Sequence, residues 1–239
     1  MTDRTMQTLL QGKVIGRTEI EDLVIVPLFA VIMALLLGAL TMLATNIDLA
    51  TIGLSYMALL EGSVGSLNAI SETLTAAAPL ILAGLGLALG FRAGLFNIGA
   101  EGQIVVGGLA AVVTGFSFAA LPSVILLPMS LLAGAVAGAL YASIAGWLRA
   151  ATGAHEVIST IMLNLISYRL LDYMLSLPFV QKEGRADPIS KSVPDAAELP
   201  RLLSAVDPNL RVHAGIFLVM IMVEVVNWLL YRSQLGFEF

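Results

Sequence analysis

GFRAGLFNIGAEGQ, residues 90–103, is the stretch that decides how this chain folds, because it interrupts two long apolar runs. Its four glycines destabilise a continuous helix and permit close approach of the backbone to other groups. Asn97, Glu101 and Gln103 carry polar side chains that are costly in lipid unless they face protein or water. Such glycine-rich breaks are how transporters place polar groups on a solute path. The alternative is a solvated cytoplasmic turn between two helices.

The amino-acid composition of the whole chain is typical of an integral membrane protein. Apolar residues make up 58% of the 239 residues and charged residues 12%, whereas soluble domains average about 45–50% and about 25%. The net charge of -5 argues against nucleic acid as a partner, and no basic stretch is interleaved with aromatic residues. Cysteine is absent, which excludes disulfides and thiolate chemistry, and the two histidines are too far apart to favour a metal site.

The apolar runs predict membrane-spanning helices, since a span of the hydrocarbon core takes about 20 apolar residues. Six segments meet or approach that length, and they cover residues 23–45, 73–91, 103–121, 122–147, 157–180 and 212–231. Residues 49–60 are apolar but too short to span, which favours an interfacial or re-entrant position on the outer side. The alternating strands of a membrane barrel are absent from the sequence. We therefore predict an all-α integral membrane protein with about six transmembrane helices and a Gly-rich re-entrant or broken segment between the second and third.

The distribution of Lys and Arg predicts that the amino terminus lies inside. The basic residues on that predicted inner side are Arg4, Lys13, Arg17, Arg92, Arg149 and Arg232. Five more in the outer loop, residues 181–211, weaken the bias, but four prolines there suggest a small ordered structure. We expect residues 1–22 to form a cytoplasmic segment and residues 23–231 the transmembrane domain. Residues 232–239 are expected to form a cytoplasmic end that stops short, as in a truncated sequence.

A polar stripe enters the predicted fifth helix. Glu156, Thr160 and Asn164 recur at every fourth residue, which places them on one helix face. A polar stripe on a spanning helix should face a cavity or a neighbouring helix rather than lipid. Contact with a solute and hydrogen bonding between helices both satisfy that expectation. His155, just before the stripe, is expected near the membrane surface as a bystander rather than a proton relay.

Other polar and small residues in the spans suggest structural roles. Arg169 and Asp172 lie three residues apart and can neutralise each other at depth. Glu224 is the lone acid of the sixth predicted helix. One hypothesis pairs Glu101 with Arg92, the nearest cation in sequence, as a clamp on the re-entrant turn. A ridge of small residues for tight helix packing runs along the fourth helix at Gly134, Gly138, Ala142 and Gly146.

Motifs for catalysis are missing from the sequence. The only Gly-Lys pair is followed by Val14, so there is no phosphate loop, and neither G-x-S-x-G nor H-E-x-x-H occurs. We expect no enzyme, and the energy for transport must come from an ion gradient or a partner ATPase. One alternative is therefore a gradient-driven secondary transporter with Glu101 or Glu224 as its ion site. A membrane enzyme using His155 and Glu156 is another, but no third catalytic residue lies nearby.

Residues 91–103 and 156–164 resemble the permeases of ATP-binding-cassette importers of the branched-chain amino acid and simple sugar class. The likeness is greatest to the nucleoside, or general simple sugar, permeases, and it covers most of the chain from the second predicted helix to the sixth. The family usually has Asn where this chain has His155. Its members also continue beyond the sixth helix into a coupling helix that docks on the ATPase, followed by further spans, so this chain resembles the front two-thirds of a permease.

The resemblance implies a multi-pass subunit of a bacterial inner-membrane importer for nucleosides or related sugars. The implied partners are a cassette ATPase, a second permease subunit, an extracytoplasmic solute-binding lipoprotein and the lipid bilayer. No cofactor is expected in this chain, since the partner ATPase uses the ATP. Amides and carboxylates suit ribose hydroxyls or base edges, and phenylalanine rings can stack on a base. The residues expected on the substrate pathway are Phe91, Phe96, Asn97, Glu101, Gln103, Glu156, Thr160 and Asn164.

Overall fold

The computed structural model describes residues 24–234 and 236, which form seven α-helices. These are α1 Val26–Ala44, α2 Leu49–Val64, α3 Leu67–Arg92, α4 Ala100–Ser117, α5 Ser123–Thr152, α6 Glu156–Ser176 and α7 Gly215–Arg232. No strand occurs in the described part of the chain, although two isolated antiparallel bridges and a 3-10 turn at Asp195–Ala197 lie between α6 and α7. The predicted all-α integral membrane fold is confirmed.

Five of the described helices, α1, α3, α4, α5 and α7, are long and apolar enough to cross a bilayer. α6 has 21 residues, or about 31 Å at 1.5 Å per residue, but it carries three charged residues. α2 is the shorter apolar helix, as expected for residues 49–60. Each of the six predicted spans thus contains a helix. Residues 1–22, predicted to be cytoplasmic, and part of residues 232–239 lie outside the described residues.

The start of α3 differs from the prediction. The helix begins at residue 67 rather than 73, because the Ser66 hydroxyl accepts the backbone N–H of Ala69 at 3.0 Å and caps the first turn. α3 then continues through Pro79 to its end at residue 92. The helix is therefore longer than its apolar run, since a polar cap rather than hydropathy sets its first residue.

The ends of α5 and α6 also differ from the prediction. α5 continues five residues past the predicted 147 and stops at Gly153, which has φ +71° and donates its N–H to Arg149 O at 2.9 Å. α6 stops at 176 rather than 180, because Leu177 precedes a proline and takes an extended conformation. Local backbone chemistry sets both ends.

The described residues divide into two compact units, one up to Ala69 and one from Ile70 onward. In the first unit, the hydroxyl of Tyr56 on α2 donates to Leu35 O on α1 at 2.5 Å. Asp48 caps α2 by accepting the N–H and hydroxyl of Thr51, and these hydrogen bonds lower the pKa of Asp48. α3 begins in this unit and runs into the second.

In the second unit, α4 and α5 approach through glycines. A Cβ on Gly107 would lie 2.8 Å from Gly134 O, and one on Gly138 would lie 3.2 Å from Gln103 O. The two backbones therefore meet directly, as the ridge of small residues on α5 predicts. Gly146 does not share this role, since a Cβ there would meet nothing within 4 Å. α6 packs against both helices and gives the unit its third layer.

Candidate functional site

Residues 93–99 form the predicted non-helical interruption between α3 and α4. Gly94 has φ +70°, a conformation that suits glycine. The turn closes on itself, because the N–H of Leu95 donates to Gly90 O at 2.8 Å. From Phe96 onward, several backbone groups form hydrogen bonds with side chains of α6. Residues 96–102, which are the end of this break and the first residues of α4, are called the clamped segment below.

The polar stripe of α6 supplies those partners. The N–H of Phe96 lies 3.4 Å from Glu156 Oε1, and the N–H of Ile98 donates to Thr160 Oγ1 at 3.2 Å. Thr160 in turn donates to the carbonyl of Glu156, one turn back on its own helix. The stripe thus faces a neighbour rather than lipid, and its side chains bind backbone atoms of the clamped segment.

Asn164 caps α4 from another helix. The N-cap residue of α4 is Gly99, which has no side chain, so the first N–H groups of the helix need other partners. Asn164 Oδ1 accepts the N–H of Gly102 at 2.8 Å, while its Nδ2 donates to Ile98 O at 2.9 Å. A Cβ on Gly102 would lie 2.9 Å from Asn164 Oδ1, so only glycine permits this approach.

The site extends from the first turn of α6 toward the middle of that helix. The hydroxyl of Tyr168 donates to the carboxylate of Glu101 in the first turn of α4. Tyr168 comes twelve residues after Glu156, or about 18 Å along α6. α4 therefore begins near the middle of α6, and the clamped segment lies beside the first turns of that helix. Non-helical backbone at such depth is tolerated only where protein or water satisfies it, which is what the stripe does.

The charged residues around the segment pair differently from the hypothesis. Glu156 forms an ion pair with Arg149 at the end of α5, and the guanidinium of Arg92 lies 5.6 Å from the centre of the Tyr231 ring. Among the described residues no ion pair joins Arg92 to Glu101, so the proposed clamp is wrong. Glu101 instead accepts the hydroxyl of Tyr168, so each of the two charged residues has another partner.

Two cavities border the clamped segment. The larger is a groove of about 550 Å³ between α3, α4 and α5, lined mainly by small and aliphatic residues, with Asn97 and Gln103 as polar groups. The smaller, about 180 Å³, is lined by Asn97, Arg149, Glu156 and Thr160 among others. Asn97 borders both. Its Oδ1 accepts the N–H of Gly99 at 2.7 Å and lies 3.4 Å from the Gln103 amide nitrogen.

The eight residues predicted on the pathway fall into two groups. Four of them line a cavity, namely Asn97, Gln103, Glu156 and Thr160. The other four line neither, and they are Phe91, Phe96, Glu101 and Asn164. The rings of the two phenylalanines contact each other, with centroids 5.1 Å apart. The structure therefore divides the eight residues into cavity-lining and supporting residues, and their place on a substrate pathway stays a prediction.

Sequence reasoning missed two residues of the site, Arg149 and Tyr168. Tyr168 continues the four-residue period of Glu156, Thr160 and Asn164 by one more step, so the stripe was longer than the prediction made it. No sequence pattern pointed to Arg149, because its ion pair with Glu156 depends on the turn at residues 153–155. Both are now assigned to the support of the clamped segment.

The chain is similar to known transporter permeases. The family model described as branched-chain amino acid transport system / permease component matches residues 69–239. The guanosine ABC transporter permease protein of Bacillus subtilis is 37% identical over 214 residues, which are 90% of this chain and 60% of that protein. The glucose ABC transporter permease protein of Haloferax volcanii is 36% identical over 219 residues, which are 89% of this chain and 56% of that protein.

A nucleoside ABC transporter permease protein of Lactococcus lactis is 32% identical over 218 residues, covering 90% of this chain and 59% of that protein. The chain thus spans somewhat less than two thirds of the length of these relatives. No solved structure matches it significantly.

Proposed function

We propose that this chain, which belongs to the branched-chain amino acid transport system / permease component family, is a transmembrane permease subunit of an ABC importer for nucleosides or related simple sugars. The family membership supports transport rather than catalysis. The names of the similar permeases, for guanosine, nucleosides and glucose, support the solute class.

The observation that carries the proposal is the clamped segment beside its groove. A groove of about 550 Å³ has the size of a small-molecule site. The α6 stripe occupies the backbone groups of the segment, which leaves the Asn97 and Gln103 amides at the groove. Amides both donate and accept, as the hydroxyls of a ribose or hexose require. The groove is otherwise apolar, so a sugar or nucleoside would find its few polar partners at these two residues.

The proposed importer needs partners for energy and for solute delivery. No phosphate loop occurs in the sequence, so a cassette ATPase would hydrolyse the ATP and this chain needs no cofactor of its own. A second permease subunit and an extracytoplasmic solute-binding lipoprotein complete the assembly. The proposed location is the bacterial inner membrane, with the amino terminus in the cytoplasm.

Cysteine labelling tests the orientation, because the chain has no native cysteine. A cysteine at residue 195, in the loop before α7, should react with an impermeant maleimide in intact cells. A cysteine at residue 150, near the end of α5, should react only after permeabilisation. Labelling of residue 150 from outside would invert the proposed topology.

Uptake by the assembled importer tests the function. We expect vesicles to accumulate labelled guanosine in an ATP-dependent manner, and Asn97→Ala or Gln103→Ala to reduce uptake roughly tenfold, since losing one or two hydrogen bonds costs about 1–2 kcal/mol. Asn209→Ala, an amide change in the outer loop, serves as the control and should leave uptake intact. Uptake that ignores ATP but collapses with an ionophore would refute the proposal in favour of a gradient-driven transporter.

A further inference from the structure

We propose that a cavity between α4, α5 and the loop that joins α6 to α7 binds a small neutral molecule with an apolar body and a single hydroxyl group. The cavity has a volume of about 190 Å³, and it shares no lining residue with the groove used in the proposed function. Seven of its eight lining side chains are aliphatic, and the eighth is that of Ser130. The inference therefore concerns a second site and goes beyond transport of the solute.

The cavity lies beside a close contact between the loop and the helices. Residues of α4 and α5 form two of its walls, and loop residues 193–199 form the third. The loop rests on α4 at Gly115, where a Cβ would lie 3.1 Å from Val193 Cγ1. The same Cβ would lie 3.7 Å from Ser130 Oγ, so the hydroxyl is next to this contact. The loop therefore packs closely beside the cavity without filling it.

Ser130 carries the polar side chain of the cavity. Only 5% of its surface is accessible, and its Oγ has no hydrogen-bond partner among the described residues. Several other helical serines donate to a carbonyl of their own helix, as Ser143 of α5 does to Leu140 O at 2.7 Å. A buried hydroxyl without a partner is costly. The cavity is therefore short of one hydrogen-bonding group, which a ligand can supply.

The rest of the lining decides what kind of ligand fits. A buried water needs about two to four polar partners, and the lining side chains offer it one hydroxyl. An apolar cavity of about 150 Å³ stays dry and binds benzene, so this cavity has room for a substituted six-membered ring. A charged ligand does not fit, because no ionisable side chain lines the cavity. The match is an apolar ring whose hydroxyl bonds to Ser130 Oγ, which can both donate and accept.

A molecule in this cavity would join the loop to the helices. It would contact α4, α5 and loop residues 193–199 at the same time, and binding to the folded state stabilises that state by mass action. We expect hydrogen exchange of the backbone amides in residues 193–199 to slow when the cavity is occupied. The ligand would thus fix the loop in the position that the structure shows.

Two probes of nearly equal shape test the site. 4-Fluorophenol carries a hydroxyl group where 4-fluorotoluene carries a methyl group, and ¹⁹F NMR gives the affinity of each for the whole chain in detergent. Ser130→Ala should shift the ratio of the two affinities roughly tenfold toward 4-fluorotoluene, because only the phenol loses a hydrogen bond. 4-Fluorophenol should slow exchange in residues 193–199 of the wild-type chain more than in Ser130→Ala.

Three controls accompany this measurement. Ser143→Ala is the matched change, since Ser143 lies on the same helix and its hydroxyl already has a partner, and it should leave the affinity ratio unchanged. Ala197→Leu adds bulk from the loop and should weaken binding of both probes, which separates the cavity from the detergent micelle. Without a probe, Ser130→Ala should keep the melting temperature of the wild-type chain, because the hydroxyl it removes has no partner.

Three results would overturn the inference. Equal binding to the wild-type chain and to Ala197→Leu would show that the probes enter only the micelle. An unchanged affinity ratio in Ser130→Ala would show that the hydroxyl is not the partner. A lower melting temperature of Ser130→Ala without a probe would show that the hydroxyl is already bonded. None of these results bears on uptake of guanosine, so the proposed function stands or fails separately.

Discussion

Residues 93–99 and residues 181–214 both connect α-helices of the second unit, yet their backbone groups find hydrogen-bond partners in different ways. The clamped segment bonds to side chains of α6 that are 60 or more residues away in sequence. The loop of residues 181–214, proposed to lie outside and called the outer loop below, mostly bonds to itself, as in the N–H of Lys182 to Ile189 O at 2.9 Å. Its main anchor elsewhere is Ser71 on α3, whose hydroxyl accepts two N–H groups, those of Arg211 and Val212.

The difference follows from the solvent at each place. In the outer loop, water can replace a lost partner, so local turns are enough. Beside the first turns of α6, water reaches the backbone only through the bordering cavities, and an N–H or C=O group that loses its partner elsewhere keeps its full desolvation cost. Removal of a hydrogen-bond partner should therefore lower stability more in the clamped segment than in the outer loop.

Asn164→Ala should give the largest effect. It removes both hydrogen bonds that this side chain makes to the clamped segment, and each of the two groups left without a partner costs about 1–3 kcal/mol where water cannot reach it. We expect a large loss of thermal stability in detergent and of membrane abundance. Asn209→Ala, on the outer loop, is the matched change and should stay within about 0.5 kcal/mol. Equal losses of stability in the two variants would contradict the expected difference between the clamped segment and the outer loop.

Gly102→Ala should have the next largest effect. Its Cβ would lie 2.9 Å from Asn164 Oδ1 and 3.1 Å from Ser167 Oγ, so the helices must separate. Overpacking of this kind costs about 1–3 kcal/mol. Gly108→Ala on the same helix meets nothing within 4 Å and should be neutral or stabilising, since Ala favours helix over Gly by about 1 kcal/mol. Paired melting curves would check this, and a stable Gly102→Ala protein would contradict the close approach.

Changes at Glu101 and Tyr168 should be smaller and should not be additive. Glu101→Gln keeps an acceptor for the tyrosine hydroxyl, whereas Glu101→Ala and Tyr168→Phe each remove the bond. We expect the last two to reduce uptake by the assembled importer through the loss of about 1–3 kcal/mol. The double variant should be little worse than either, because the two residues act through one contact. Full additivity, or normal uptake in Glu101→Ala, would show that the carboxylate is merely solvated.

The Arg185–Asp187 pair of the outer loop should give the smallest effect. Two hydrogen bonds from the exposed guanidinium, at 2.8 and 3.0 Å, lower the pKa of Asp187 below its ordinary 3.8. A lowered native pKa stabilises the loop fully above pH 3.8, and that contribution is lost as the pH falls through the native value. Hydrogen exchange of residues 181–189, corrected for intrinsic rates, should be flat from pH 8 to 5 and rise below. Asp187→Asn should abolish the rise.

Sequence reasoning could predict the parts of this site separately but not that they contact each other. The glycines of residues 90–103 predicted the break, and the four-residue period of Glu156, Thr160 and Asn164 predicted a face that avoids lipid. Periodicity describes one helix at a time, so it could not say that this face would bind that break. The Arg92 pairing failed for the same reason, because proximity in sequence misleads where a segment enters the membrane and its partner lies on a later helix.

The distance in sequence between the clamped segment and α6 also has a consequence for how the protein is made. Phe96 emerges 60 residues before Glu156, which at about 5–20 residues per second is an interval of about 3–12 s. Throughout that interval the backbone of residues 96–102 has none of its α6 partners, although α3 and α4 are already apolar enough to insert. We therefore expect these backbone groups to be hydrogen-bonded by water or by the insertion machinery until α6 arrives.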